Sequence, residues 1–256
     1  MPAVSGMKRF SLLIFVLGVL NLVPTQTASG GVLAFNHDLY ANILDEYLDQ
    51  GKVNYQSLRQ DPKNLNRYLR KIEALSSKSL EIMSRDEQMA FYLNLYNAFT
   101  LKAIIEHYPV KSIKNISGVW DKLEFPVAGS NLTLNQIEYQ ILRKQFKEPR
   151  VHFALVCAST SCPELRSQPF SGKNLDQALD EEASKFINDK TKVRLDKEKG
   201  ILYVSSIFKW FREDFGDVEE FIAGYLPRED KLFILENKPK IRYLRYDWSL
   251  NDNSAI

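Results

Sequence analysis

The chain has 256 residues, 45% hydrophobic and 12% aromatic, enough apolar material to bury a sizeable core within one domain. Its 34 Lys and Arg against 32 Asp and Glu give a formal charge of +2 with no long basic run, which argues against nucleic acid or an anionic membrane surface as the main partner. The sequence has no Gly-rich phosphate loop, paired-histidine zinc helix, nucleophile-elbow serine or CxxC, so neither nucleotide chemistry nor a cofactor nor a metal is expected.

In chain order the first element is a leader. Lys8 and Arg9 precede an uncharged apolar run over residues 10–22, followed by Pro24 and the small residues Ala28, Ser29 and Gly30. That order predicts a cleavable secretory signal peptide over residues 1–30, and the run is shorter than the roughly 18 to 20 apolar residues of a membrane span. The expectation is an exported protein, periplasmic or secreted, with no membrane anchor in the mature chain. Residues 1–30 hold Lys8 and Arg9 and no acid, so the positive excess leaves with the leader. Residues 31–256 carry no repeat and no Gly- or Pro-rich linker and read as a single globular domain.

Within that domain Leu39, Ile43, Leu44, Tyr47 and Leu48 predict a helix over residues 35–50, stopped by Gly51, and a weaker pattern predicts one over 65–75. Ser84, with Glu87 three residues on, opens a long helix over 84–108 that Pro109 closes. Its apolar residues cover every face, the signature of a helix inside a protein. A hairpin over 125–134, with residues 129–131 in its middle, leads into a helix over 135–146, and the apolar run 151–157 reads as a short strand. A helix over 175–187, strands at 193–195 and 201–204, helices over 206–215, 218–225 and 228–236, and a strand over 241–246 complete the chain. The fold class is α+β: a single helix-rich domain with a small mixed or antiparallel sheet and one central apolar helix.

The densest chemical segment is 149–163, which holds His152 and both cysteines, Cys157 and Cys162. In an exported protein two cysteines across a short polar turn can close a disulfide loop; alternatively Cys157 is a thiolate nucleophile with His152 as base. If 151–157 is a regular strand, His152 and Cys157 lie on opposite faces roughly 16 Å apart, which disfavours their direct pairing and a zinc site built on them with Cys162. His152 then works with groups from other elements. Asn94 and Asn97 share a stripe of the buried helix with Glu87, and their amides either bond loop backbone or orient His152 and hold a substrate carbonyl. Glu138 either fixes the His152 tautomer or pairs with Arg143. His37 and His107 suit surface or capping roles, and Trp210, Phe211 and Phe215 suit the core rather than a ligand platform.

Residues 91–98 (Phe91-Tyr92-Leu93-Asn94-Leu95-Tyr96-Asn97-Ala98), 134–143, 152–165 and 206–215 resemble, in order, the motifs of the family called domain of unknown function 547. The closing Tyr246-Asp247-Trp248-Ser249-Leu250-Asn251 resembles the tail of its exported bacterial members, so the resemblance spans about 40–251. It implies no established activity; relatives fused to other modules, such as plant leucine-zipper segments, imply that an interaction role is equally open. Members commonly show Ile-Glu-His where this chain has Ile137-Glu138-Tyr139, a departure that weakens a histidine mechanism unless Tyr139 makes the same contact. Two functions stand. One is an exported thiol- or histidine-dependent hydrolase or acyl transferase of papain or transglutaminase type, centred on Cys157 or His152 with Glu138, Asn94, Asn97 and Arg143 in support. The other is a non-catalytic binding or scaffold domain with a structural Cys157–Cys162 disulfide. The partner is a small molecule, a peptide or another protein.

Overall fold

A computed structural model describes residues 34–253; the leader assigned to residues 1–30 lies outside them. Burial organises the described chain into two apolar cores, and the segment that joins them carries the site.

The first core forms around α5 (Arg85–His107). Ser84 caps it, its hydroxyl accepting the Glu87 N–H at 3.2 Å, and its side chains are buried on all sides. An all-apolar helix must be surrounded. Around it pack α1 (Asp38–Tyr47), α2 (Tyr55–Gln60), α3 (Lys63–Glu73), the hairpin β3 (Glu124–Val127) and β4 (Ser130–Thr133), and a π-helix over Gln136–Phe146. A short helix, α4 (Ser77–Glu81), leads into α5. The first helix stops before the expected residue 50, because Leu48–Asp49 and Lys52–Val53 pair as β1 and β2. Their two-residue turn, Gln50 at φ 46° and Gly51 at φ 77°, is left-handed at both positions, as such hairpins need. A Cβ on Gly51 would sit 2.6 Å from Glu164 Cγ, so glycine is required twice over.

The second core lies between α7 (Leu175–Asn188), the sheet β5 (Val193–Asp196), β6 (Ile201–Val204), β7 (Lys240–Tyr243), and the helices α8 (Ile207–Trp210), α9 (Arg212–Phe215), α10 (Val218–Tyr225) and α11 (Arg228–Asn237). β5 and β6 pair antiparallel while β6 and β7 pair parallel, so the sheet is mixed and the class is α+β. No helix among the described residues is long and apolar enough to cross a membrane.

The expected strand over 151–157 is a correction. Residues Val151–Ala154 form a helical turn, α6, and only the following residues are extended. Val151 and Ala154 enter the first core while Phe153 enters the second. A helical turn spreads side chains to several sides, whereas a strand offers only two faces. The helix expected over 135–146 follows the π repeat, opened by reciprocal bonds in which Gln136 N–H donates to Thr133 Oγ1 and Thr133 N–H donates to Gln136 Oε1. The helix over 206–215 breaks at Phe211 into α8 and α9, and the β3–β4 turn falls at Ala128 and Gly129.

Candidate functional site

Where the two cores meet, α6 places His152 beside a cavity of about 270 Å³. Tyr96 of α5, Glu138 and Tyr139 of the π-helix, Cys157, Cys162, Trp210, Phe211, and Tyr246 and Trp248 of the C-terminal tail also line it. His152 is buried, with its ring stacked on Phe211 at 4.0 Å between centroids. Its Nε2 lies 2.7 Å from Asp214 Oδ2. Burial alone would lift the Asp214 pKa, but the His152 N–H and the Arg143 guanidinium outweigh it and hold the carboxyl well below the usual carboxylate range. Burial lowers the His152 pKa below 6.5, against the opposing pull of Asp214. At neutral pH the pair is therefore a neutral imidazole against an ionised carboxylate. An ionised carboxylate only accepts, so Nε2 carries the proton and Nδ1 is the bare, basic nitrogen.

Arg143 makes two bonds to Asp214, one of them Nη2 to Oδ1 at 3.1 Å. Its guanidinium also lies over the rings of Tyr139 and Phe211, 4.4 and 4.9 Å from their centroids. Arg143 thus holds both carboxylate oxygens of Asp214, sharing Oδ2 with the imidazole. Glu138 fills neither role expected of it: the partner of His152 is Asp214, and the partner of Arg143 is also Asp214. Instead Glu138 is buried in the cavity wall and accepts the Tyr96 hydroxyl at 3.2 Å. Burial raises its pKa to about 7, with Tyr96 and Arg143 opposing and nearby Asp214 reinforcing the rise. It stands near half-protonation at neutral pH, able to give or take a proton.

The two cysteines face one another across the turn at residues 158–161, their sulfurs within bonding distance and their α-carbons 6.2 Å apart. Because α6 is helical, the opposite-face geometry expected of a strand does not apply, and His152 and Cys157 line one cavity. Asn94 and Asn97 lie elsewhere. Asn94 donates to Phe170 O and accepts from Phe170 N, both at 2.9 Å, and Asn97 does the same between Ala154 O and Val156 N. Neither lines the cavity. Trp210, 46% exposed, and Phe211 line the cavity, Phe211 packing on the second core as well, and Phe215 is buried in that core. His37 takes the N-cap position of α1, with Nδ1 2.7 Å from the Tyr68 hydroxyl, and His107 Nδ1 lies 2.9 Å from Ala103 O. Among the described residues no three His, Cys, Asp or Glu side chains gather as a metal site.

Sequence reasoning did not single out Asp214, Tyr96 or Tyr246. Asp214 lies in the 206–215 segment already marked by its resemblance, where the adjacent acids Glu213 and Asp214 between Phe211 and Phe215 were the available sign.

An α+β domain with an acid-oriented histidine, a protonatable buried carboxyl and a cysteine pair around one aromatic cavity is the class that fold and site define. Residues 80–187 match the model of the family described as protein of unknown function, DUF547. Those residues span α5, the π-helix, α6, the cysteine turn and most of α7; Asp214, Tyr246 and Trp248 lie beyond them. No curated protein and no solved structure matches the chain.

Proposed function

We propose that this protein is an exported thiol-dependent hydrolase or acyl transferase in which Cys157 is the nucleophile, His152 its base and Asp214 the group that orients the base. One observation carries the proposal: His152 and Cys157 line the same cavity, and Asp214 holds the Nε2–H so that Nδ1 is left as the base. In this mechanism Nδ1 takes the Cys157 proton, the thiolate attacks an acyl carbon, and the imidazolium returns the proton to the leaving group. Glu138, near half-protonation, serves as a second proton donor or acceptor at the cavity wall. The aromatic lining favours an acyl group that is apolar or aromatic, carried on a small molecule or peptide. Export rests on the leader over residues 1–30 and makes the periplasm or the exterior the site of action.

The test uses the full mature chain with Cys162→Ser, which frees Cys157. Its alkylation by iodoacetamide, followed by intact mass against pH, is compared with Cys162→Ser/His152→Ala and Cys162→Ser/Asp214→Asn. Alongside runs the hydrolysis of a para-nitrophenyl ester of an aromatic acid. The expected result is alkylation at pH 6.5 about 100-fold faster with the histidine than without it. Equal rates in all three variants would remove His152 and Asp214 from any catalytic role. A second reading, a binding domain without turnover, is favoured by the aromatic cavity with Trp210 and Tyr139 exposed at its mouth. It predicts tight aromatic ligands and no ester hydrolysis.

A further inference from the structure

The two sulfurs are not equivalent. Cys162 is buried, and its Sγ accepts the Cys157 N–H at 2.9 Å and the Tyr246 O–H at 3.3 Å. The Tyr246 oxygen in turn accepts the Ser159 hydroxyl at 3.2 Å, and both hydroxyls also lie against Cys157 Sγ, Ser159 Oγ at 3.2 Å and the Tyr246 oxygen at 3.4 Å, so they serve the pair as a whole. Cys157 is only half-buried. Cys157 is therefore the more open to attack, and the backbone N–H bond, which falls on Cys162 Sγ, stabilises that sulfur as the departing thiolate.

The turn between them is held by the tail rather than by the bond. Thr160 N–H donates to Ser249 O at 2.8 Å, Ser161 N–H to Asp247 O at 3.1 Å, and Asn251 N–H to Ala158 O at 3.2 Å. Lys192 Nζ donates to Thr160 O at 2.7 Å. Ala158 sits in the left-handed region at φ 55°, a conformation that these clamps maintain in a residue with a side chain. A ring closed over five positions also constrains the unfolded chain least, so such a bond adds little to stability. The scaffold keeps the sulfurs together whether or not they are bonded.

We propose that Cys157 and Cys162 form a redox-active pair that exchanges with a dithiol reductant, and that the closed bond is a lock on the nucleophile. A dithiol's thiolate attacks Cys157 Sγ; the new S–S bond forms as the Cys157–Cys162 bond breaks, and the electron pair leaves on Cys162, which then takes a proton. The dithiol's second thiolate attacks its own first sulfur in the mixed disulfide and expels Cys157 as a thiolate, which takes the second proton given up by the dithiol. The dithiol is oxidised to a disulfide, and the protein gains two electrons and two protons. The exchange stands on the sulfur geometry alone; its effect as a lock rests on the nucleophilic role given to Cys157 above.

The test follows native, oxidised full mature chain in dithiothreitol, with maleimide quenching and thiol counting by mass, in wild type, Tyr246→Phe and Ser159→Ala. Circular dichroism monitors the fold. The expected result is complete native reduction with the fold unchanged, about tenfold slower in Tyr246→Phe and slowed to a lesser degree in Ser159→Ala. Iodoacetamide reactivity at Cys157 should appear with the same midpoint, and Cys162→Ser should be reactive without reductant. A bond that resists native dithiothreitol and yields only in urea would overturn the proposal, as would two free thiols in protein isolated under oxidising conditions. Reduction of Tyr246→Phe and Ser159→Ala at the wild-type rate would overturn the assignment of Cys162 as leaving group. If exchange proceeds as expected while removing His152 leaves Cys157 alkylation unchanged, the exchange site stands and the catalytic reading falls.

Discussion

Two pairs of buried polar side chains are used in opposite ways. Asn94 and Asn97 spend both ends of each amide on backbone: Asn94 brackets Phe170, and Asn97 brackets the turn from Ala154 to Val156. His152 and Glu138 are buried too, yet His152 has one ring nitrogen committed to Asp214 and Glu138 accepts one hydroxyl, and both line a cavity. An amide satisfied at both ends has no capacity left for a ligand. A titratable group satisfied at one end, with its pKa shifted by burial, has kept the capacity that chemistry needs.

The largest effect should come from breaking the satisfied pair. Asn94→Ala removes both bonds to Phe170 and leaves a buried N–H and C=O unpaired, at about 1–3 kcal/mol each. Urea unfolding should show a loss of about 4 kcal/mol, with Cys157 alkylation, read in the Cys162→Ser background, changed less than about twofold. A large fall in reactivity at constant stability would put Asn94 in the site and erase the distinction. His152→Ala should show the reverse pattern, losing reactivity far more than stability.

Glu138 gives a smaller effect with a defined sign. Its folded pKa, about 7, lies above the ordinary 4.5, so the folded state holds that proton more tightly than the unfolded chain does. The stability linked to this proton is present below about pH 4.5 and is lost as pH climbs to about 7. Glu138→Gln, which cannot ionise, should match wild type near pH 4.5 and exceed it by about 3 kcal/mol at pH 8. The lowered pKa values of His37 and His152 act the opposite way, costing stability as pH falls, but both groups persist in the variant and cancel from the difference. A pH-independent difference between the two proteins would mean that Glu138 is ionised in the fold like a surface carboxylate.

The same contrast explains which parts of the molecule were legible in the sequence. The central helix was, because apolar residues on every face admit only burial and Ser84 marks its start. The β5–β6 hairpin and α10 were, from alternation and from local helical spacing. Segment 151–157 was misread because β-branched and apolar composition favours a strand, whereas two separate cores claim its side chains and force a helical turn. Cys157, His152 and Glu138 could be named from chemistry alone. Asp214 could not be placed, since it meets His152 across 62 positions of chain and only the packing of α9 against α6 joins them. Arg143 could not be assigned either, because a π repeat changes which residues share a face.

The smallest effect concerns the rim, where Trp210 is 46% exposed yet lies 4.8 Å from the Tyr246 ring and 5.7 Å from the Trp248 ring. Its exposure means that Trp210→Ala should change stability by no more than about 0.5 to 1 kcal/mol. Because it lines the cavity and is exposed, the proposed acyl chemistry predicts that an aromatic acyl group bound there would pack on it. One aromatic contact of about 0.5–1.5 kcal/mol corresponds to a rise in KM of about twofold to tenfold, with kcat unchanged because the indole touches no reacting atom. A fall in kcat with constant KM in the reduced enzyme would instead place Trp210 among the groups that position His152. That result would extend the half-satisfied set from the cavity floor to its rim.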